Sequence, residues 1–510
     1  MRRIWLCCAL LVPFTVFAQR KSGGITPANL NAILHISGNN RAEVQNAIIY
    51  FQRKGEADKL AALYFLLRNM PEHLSSSYYW VDIKNNSVAF NEFDYPTFDK
   101  ALDAFDNLRK THPGVHPHPT NFDDLTTVKS AFLIDNIEHA FIEWKRSAYK
   151  NISFNDFCEY ILPYRVSVEP LQLWRGTYEK RYNFLTTAIK TKGIENGLSY
   201  FGEDLKLWFE GTFGENTERH EPLPRLGAQQ LLFRKKGPCE DIADLTVFAL
   251  RSQGVPVTVD IVPAWATSTG GHFLNAVFDP QMRLMDINVS GHNGLTRKKG
   301  KEPGKVIRTT FAKQNHTVAD LETPNNIPDN FLRSRTYIDV TDQYWETGNI
   351  SVDLMPTSKK AVFASVFNHF QWKPIWWAGI SNNKATFTKM CKGAVYLPIY
   401  FDNGILHAAA WPVLLDYERV KTLRPLLNQR TILRITDKDN YIKIQANKLY
   451  RLYFWNGKWE LSGTQVGTQG NPVLIFPNTP KDALYLLVPE YSKGKDRPFI
   501  QEDNGSLSWW

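Results

Sequence analysis

Gly237-Pro238-Cys239-Glu240-Asp241-Ile242-Ala243 opens a run that continues through Leu245, Phe248 and Ala249 and stops at Gly254. The apolar spacing is that of a helix, with a glycine past its C-terminus and a cysteine at its start. A helix start leaves backbone N–H groups unpaired and carries positive partial charge, and both favour a thiolate over a thiol. The same amides can hydrogen-bond the oxyanion of a tetrahedral intermediate. Glu240 and Asp241 suit the first turn as partners of the helix dipole and are read as structural.

Downstream, Val257 to Val262 reads as a strand. Gly270-Gly271 then precedes His272-Phe273-Leu274-Asn275-Ala276-Val277-Phe278, Asp279-Pro280 marks a turn, and Leu284 to Val289 returns as a partner strand holding Asp286. With an odd number of residues in the hairpin loop, His272 and Asp286 project from one face. A carboxylate that holds an imidazole while the imidazole serves a thiol is the logic of a nucleophilic triad. Cys239, His272 and Asp286 are therefore the candidate catalytic residues.

Gly237-x-Cys239-x-Asp241-x-Ala243, Arg251-x-x-Gly254-Val255-Pro256, His272 and Asp286 together resemble the core of the transglutaminase-like superfamily. The resemblance covers roughly residues 170–290. It implies a papain-like fold in which Cys239 is the nucleophile, His272 the general base and acid, and Asp286 the residue that orients it. Tyr160-Ile161-Leu162-Pro163-Tyr164-Arg165, Glu169-Pro170-Leu171 and Trp174-Arg175, with the ending Ser508-Trp509-Trp510, are similar to segments of long, exported bacterial members. One position departs: the tryptophan usual two residues after the histidine is Leu274 here, which changes what packs over the site.

Outward from this core, Val44, Ala47, Ile48 and Phe51 follow helical spacing, as do Leu60, Leu63, Tyr64 and Leu67, with Gly55 between them and Pro71 after. A third helix is expected from Asp123 through Ile137, Phe141 and Trp144. His112, His116 and His118 lie among prolines in Thr111–Pro119; alternate proline favours an extended loop over a metal site. Beyond the core the pattern turns to short strands and hairpins, at Asp402-Asn403-Gly404 and Asn456-Gly457. The expected fold is α+β: a signal peptide (1–18), a helical N-terminal region (19–165), a papain-like catalytic core (166–344) and two β-sandwich modules (345–425 and 426–510), joined near Pro425. A chain of 510 residues is too long for one core.

Arg2 and Arg3, the apolar Ile4–Phe17 and the Val16-Phe17-Ala18 cleavage pattern predict export, with cleavage before Gln19 and no integral membrane segment afterwards. The mature chain keeps Cys158, Cys239 and Cys391, too few for a disulfide framework; a Cys158–Cys391 bridge has no sequence support. The net charge of +9 is spread along the chain without a nucleic-acid-binding module, so no nucleic-acid partner is expected. Lys298, Lys299, Lys301 and Lys305, between Arg297 and Arg308, read as a solvated surface loop. No cofactor is expected. Two functional readings follow. The first is a thiol enzyme acting on amide bonds of a protein or peptide through an acyl-enzyme, passing it to water as a peptidase or amidase or to an amine as a crosslinker, with hydrolysis favoured. The second is a catalytically degenerate surface protein that binds glycan or protein, with Trp372, Trp376, Trp377, Trp411, Trp455 and Trp459 as stacking platforms; packing of these rings inside the sandwiches is the favoured reading.

Overall fold

The structure, a computed structural model, describes residues 27–212, 225–286, 301–438, 441–470 and 472–510. The predicted signal peptide lies outside the described residues. Helix Arg41–Lys54 buries Val44, Ala47, Ile48 and Phe51, the face its spacing selects, and ends at Gly55 in the left-handed region (φ 67°). Helix Ala57–Asn69 turns Leu63, Leu66 and Leu67 to the same core. The helix expected from Asp123 is instead two, Asp124–Thr127 and Ser130–Arg146, with Val128 and Lys129 extended between them. The cause is local: the buried Asn40 amide donates to Leu125 O (3.1 Å) and Val128 O (2.8 Å), so the first helix ends on a side chain.

The N-terminal region also holds a sheet that proline content argued against. His116–Asp123 pairs antiparallel along the whole of Leu74–Val81, and Ser87–Val88 pairs on the other side. Pro117 and Pro119 are tolerated because their strand is outermost, where every second N–H has no strand to bond. His116 bonds Gly114 O through Nδ1 (3.0 Å), His118 leans on Tyr79, and His112 sits against Thr111.

Tyr160 to Glu169 has little regular structure and is held by buried cations. Arg175 donates to the carbonyls of Ile161, Leu162 and Pro163, and Arg251 to those of Tyr160, Arg165 and Val257. Trp174 Nε1 donates to Tyr164 O (2.9 Å). Arg165 forks onto Asp124, Nε to Oδ2 at 2.6 Å and Nη2 to Oδ1 at 2.7 Å, while Tyr164 and Ser75 hydroxyls donate to the same carboxylate. These partners explain the Tyr-Ile-Leu-Pro-Tyr-Arg and Trp-Arg motifs as one fastening. Buried backbone carbonyls outside helices and sheets need donors, and long arginines supply several at once.

The central sheet is antiparallel, in the order His272–Val277, Val257–Val262, Ile307–Thr309, Tyr337–Asp339. Helix Cys239–Arg251, the site helix, covers one face of it, and Asn275 Nδ2 donates to Ala243 O (2.9 Å) across that contact. In the described part of the basic loop Lys301 is exposed as expected, while the end of the loop is not. Lys305 is fully buried against Asp339 (2.5 Å), and Arg308 is buried against Asp260 (2.8 Å), so both are interior ion pairs rather than solvated surface.

From Thr347 onward every regular element of the described chain is a strand. Ala394–Asp402 and Ile405–Ala408 form the expected hairpin, with Asn403 and Gly404 both at positive φ. A six-stranded and a two-stranded sheet come first; Leu426–Thr436 then pairs with Val473–Lys481 beside a five-stranded sheet ending at Leu507–Trp509. The fold is mixed α+β with a β-rich C-terminal region. One apolar cluster joins Ile307 and Tyr337 of the central sheet to Phe363, Phe367, Trp455 and Leu486. The six indoles belong to this cluster, Trp372 and Trp455 buried and Trp376, Trp377, Trp411 and Trp459 half-buried against it: Trp372 meets Trp455 at 5.4 Å and Trp455 meets Trp459 at 5.3 Å.

Candidate active site

Cys239 is the first residue of the site helix and is half-buried. Gly237 precedes it because a Cβ there would sit 2.3 Å from Asp241 Oδ2; the buried Asp241 side chain folds back over the turn and leaves room only for glycine. The backbone N–H groups of Phe273 and Glu240 point at the cysteine sulfur. Burial pushes the thiol above its usual range, while those two amides and the Arg225 guanidinium pull the other way. The other two thiols are free and buried, and burial raises both well above the ordinary value.

His272 is the first residue of its strand, one position from the amide that meets the sulfur. Its ring stacks on Trp265, centroids 6.0 Å apart, and Trp265 packs with Leu274 beneath it. No local pattern in the sequence marks Trp265. It supplies, from the preceding loop, an aromatic neighbour for the histidine where Leu274 stands in place of the family tryptophan. Gly271 makes the tight entry to the strand: a Cβ there would lie 2.7 Å from Val262 O.

Asp286 is exposed. Phe278 bridges Leu284 and Met285 N–H donates to Val277 O, so the loop between them has five residues. That odd count gives Asp286 the same parity as His272. Continuing the register sets Asp286 level with Ala276, about 13 Å along the strand from His272 at ~3.3 Å per residue. The return strand is limited to this bridge among the described residues; 287–289 lie outside them. The described geometry thus sets Cys239 beside the start of the histidine strand and leaves Asp286 farther along the same edge.

Three more residues shape the site without a local sequence signal. Arg225 is buried, ion-paired to Glu240 (3.0 Å) and Asp244 (2.7 Å), with its guanidinium 5.1 Å from the Phe273 ring centroid. Asn368 and Arg497 hold the loop that leads into His272. Asn368 Nδ2 donates to Trp265 O, Ser268 O and Gly270 O (3.0, 3.1 and 2.9 Å), and its Oδ1 accepts from Gly270 N–H (3.0 Å). Arg497 donates to Ala266 O, to Ser268 O (3.2 Å) and to Phe367 O (2.6 Å). Both are buried. The approach to the histidine is therefore set by residues 98 and 231 positions away in sequence.

Arg497→Ala strips donors from these buried carbonyls. It is expected to cost about 1–3 kcal/mol in urea unfolding and to slow chemistry at Cys239 by loosening the Trp265–Gly271 loop. An Arg497→Ala chain that unfolds and reacts like wild type would show that the loop holds itself.

Residues 188–288 match the family model of the transglutaminase-like superfamily, a span that includes Cys239, His272 and Asp286. The chain thus carries a transglutaminase-like superfamily domain. No curated protein matches the chain. Among the described residues, no helix is long and apolar enough to cross a membrane.

Proposed function

We propose that the protein is an exported thiol enzyme that cleaves amide bonds of a protein or peptide through a covalent acyl-enzyme. The observation that carries this reading is the cysteine at the start of the site helix, its sulfur against the amide next to His272, inside the matched domain. Burial raises the thiol, so at neutral pH it keeps its proton unless a base removes it. His272 takes that proton as the sulfur attacks the carbonyl carbon. It returns the proton to the departing nitrogen as the C–N bond breaks, leaving a thioester and a free amine. The amides at the helix start serve the tetrahedral oxygen. His272 then takes a proton from a water that attacks the thioester; the C–S bond breaks, the acyl group leaves as the carboxylic acid, and the proton returns from His272 to the sulfur. The resemblance assigns Asp286 to orient the imidazole, a role that requires its carboxylate to come within hydrogen-bond distance of the His272 ring.

The experiment is incubation of the full chain with a denatured-protein digest, read by mass spectrometry for new termini and for isopeptide crosslinks. New termini that depend on Cys239 are expected. Crosslinks without new termini would assign the second half-reaction to an amine acceptor, and neither product would contradict an amide-cleaving enzyme.

A further inference from the structure

A cavity of about 210 Å³ lies against Phe273, the residue after His272. Its walls are mainly apolar: Val166 and Val168 from the arginine-fastened segment, Val259 and Ile261 from the central strand, and the Phe273 ring. Val166, Val168, Ile261 and Phe273 are only half-buried, so the cavity opens to solvent.

Two connections tie it to Cys239. Phe273, whose ring forms one wall, is the residue whose N–H meets the sulfur. Arg225, also on the wall, is ion-paired to Glu240, the residue after Cys239. The polar groups present are already matched. Arg225 is held between Asp244 and Glu240, and its Nε donates to Ser167 Oγ (2.9 Å). A charged side chain entering here would lose its hydration and meet an ion pair that is already satisfied; an apolar one would lose only unfavourable contact with water.

We infer that this cavity is a specificity pocket that receives a leucine- or phenylalanine-sized apolar side chain from the acyl side of the substrate. The inference rests on the thiol-enzyme reading above. The acyl group is the part that stays bonded to the sulfur, so its side chains are the ones held within reach of a pocket sharing Phe273 with the thiol. The volume suits a branched aliphatic or a single aromatic ring.

The test uses peptidyl fluoromethyl ketones whose acyl-side residues are Gly, Asp, Leu or Phe, with the full chain and intact-mass detection of Cys239 modification. Each rate is divided by the rate of iodoacetamide labelling at Cys239, which corrects for thiol reactivity alone. Leu and Phe probes are expected to react at least about tenfold faster than Gly or Asp probes, the usual scale of discrimination by an apolar pocket. Val168→Trp, which fills the cavity, should bring that ratio close to one. Should Val168→Trp fail to fold, Ile261→Ala, which widens the cavity, should shift preference from Leu toward Phe. Equal rates across the panel, with His272-dependent iodoacetamide labelling intact, would overturn the pocket and leave the enzyme reading standing. A pattern unchanged in the variants would overturn it as well. Labelling of Cys239 that ignores His272 would remove the enzyme reading, and the pocket with it.

Discussion

Cys239→Ala should abolish amide cleavage, a fall on the order of 10⁴–10⁶-fold in kcat, while the protein stays folded. The substitution deletes the reacting atom from a half-buried helix start and removes little packing. His272→Ala should cost nearly as much, because the raised thiol has no other assigned base and the leaving nitrogen no other assigned acid. Asp286→Asn should be the mildest. Its carboxylate is exposed and supplies none of the reacting atoms. The three losses need not add, since the residues work as a unit. Steady-state cleavage of a substrate found in the digest, with circular dichroism of each variant, checks the series. If Asp286→Asn matched wild type while Asp241→Asn or Asp279→Asn inactivated folded protein, the third role would pass to the other carboxylate.

The second large effect is on stability. Asp124 is fully buried and accepts hydrogen bonds from Arg165, Tyr164 and Ser75. Asp124→Ala leaves the Arg165 guanidinium buried without its carboxylate, and breaking such a pair from one side costs about 3–5 kcal/mol. Urea unfolding followed by tryptophan fluorescence should show a lower midpoint, corresponding to a loss of that size in unfolding free energy. Asp124→Ala combined with Arg165→Met removes both charges and should recover part of the loss. A single variant as stable as wild type would mean that Arg165 is solvated in a way its burial contradicts.

The site helix, the strand from Val257 to Val262 and the histidine strand were legible in the sequence because each carries its own period, with glycines at 237, 254 and 271 punctuating them. The two hairpins were legible for the same reason: Asn-Gly fixes a turn locally. What was not legible depends on partners far along the chain. The proline-containing strand from His116 to Asp123 exists because Leu74–Val81 lies on its inner edge, and proline statistics carry no word of that neighbour. Lys305 and Arg308 read as surface charge because the carboxylates that bury them, Asp339 and Asp260, lie elsewhere in the sequence. Trp265, Arg225, Asn368 and Arg497 have no motif around them at all; Trp265 acts through the nearby His272 ring, and the other three through several contacts each on the segments that bear Cys239 and His272. Asp286 is intermediate. Its parity with His272 followed from the odd loop, but its level along the strand required the register.

The central claim is that His272 activates Cys239, and the pH dependence of iodoacetamide labelling tests it most directly. Labelling rates at Cys239 would be measured by peptide mapping between about pH 6 and 10 in wild type and His272→Ala, with Cys158 and Cys391 as internal controls. Burial raises the Cys239 thiol, so without a base its thiolate appears only as pH climbs past the usual thiol range. Wild type should therefore label faster near neutral pH, by about 10²-fold or more, and the gap should close toward pH 10 as hydroxide does the work of the imidazole. Cys158 and Cys391, raised further by burial, should stay unlabelled in folded protein. Superimposable profiles for wild type and His272→Ala, or equal labelling of all three thiols, would contradict the account.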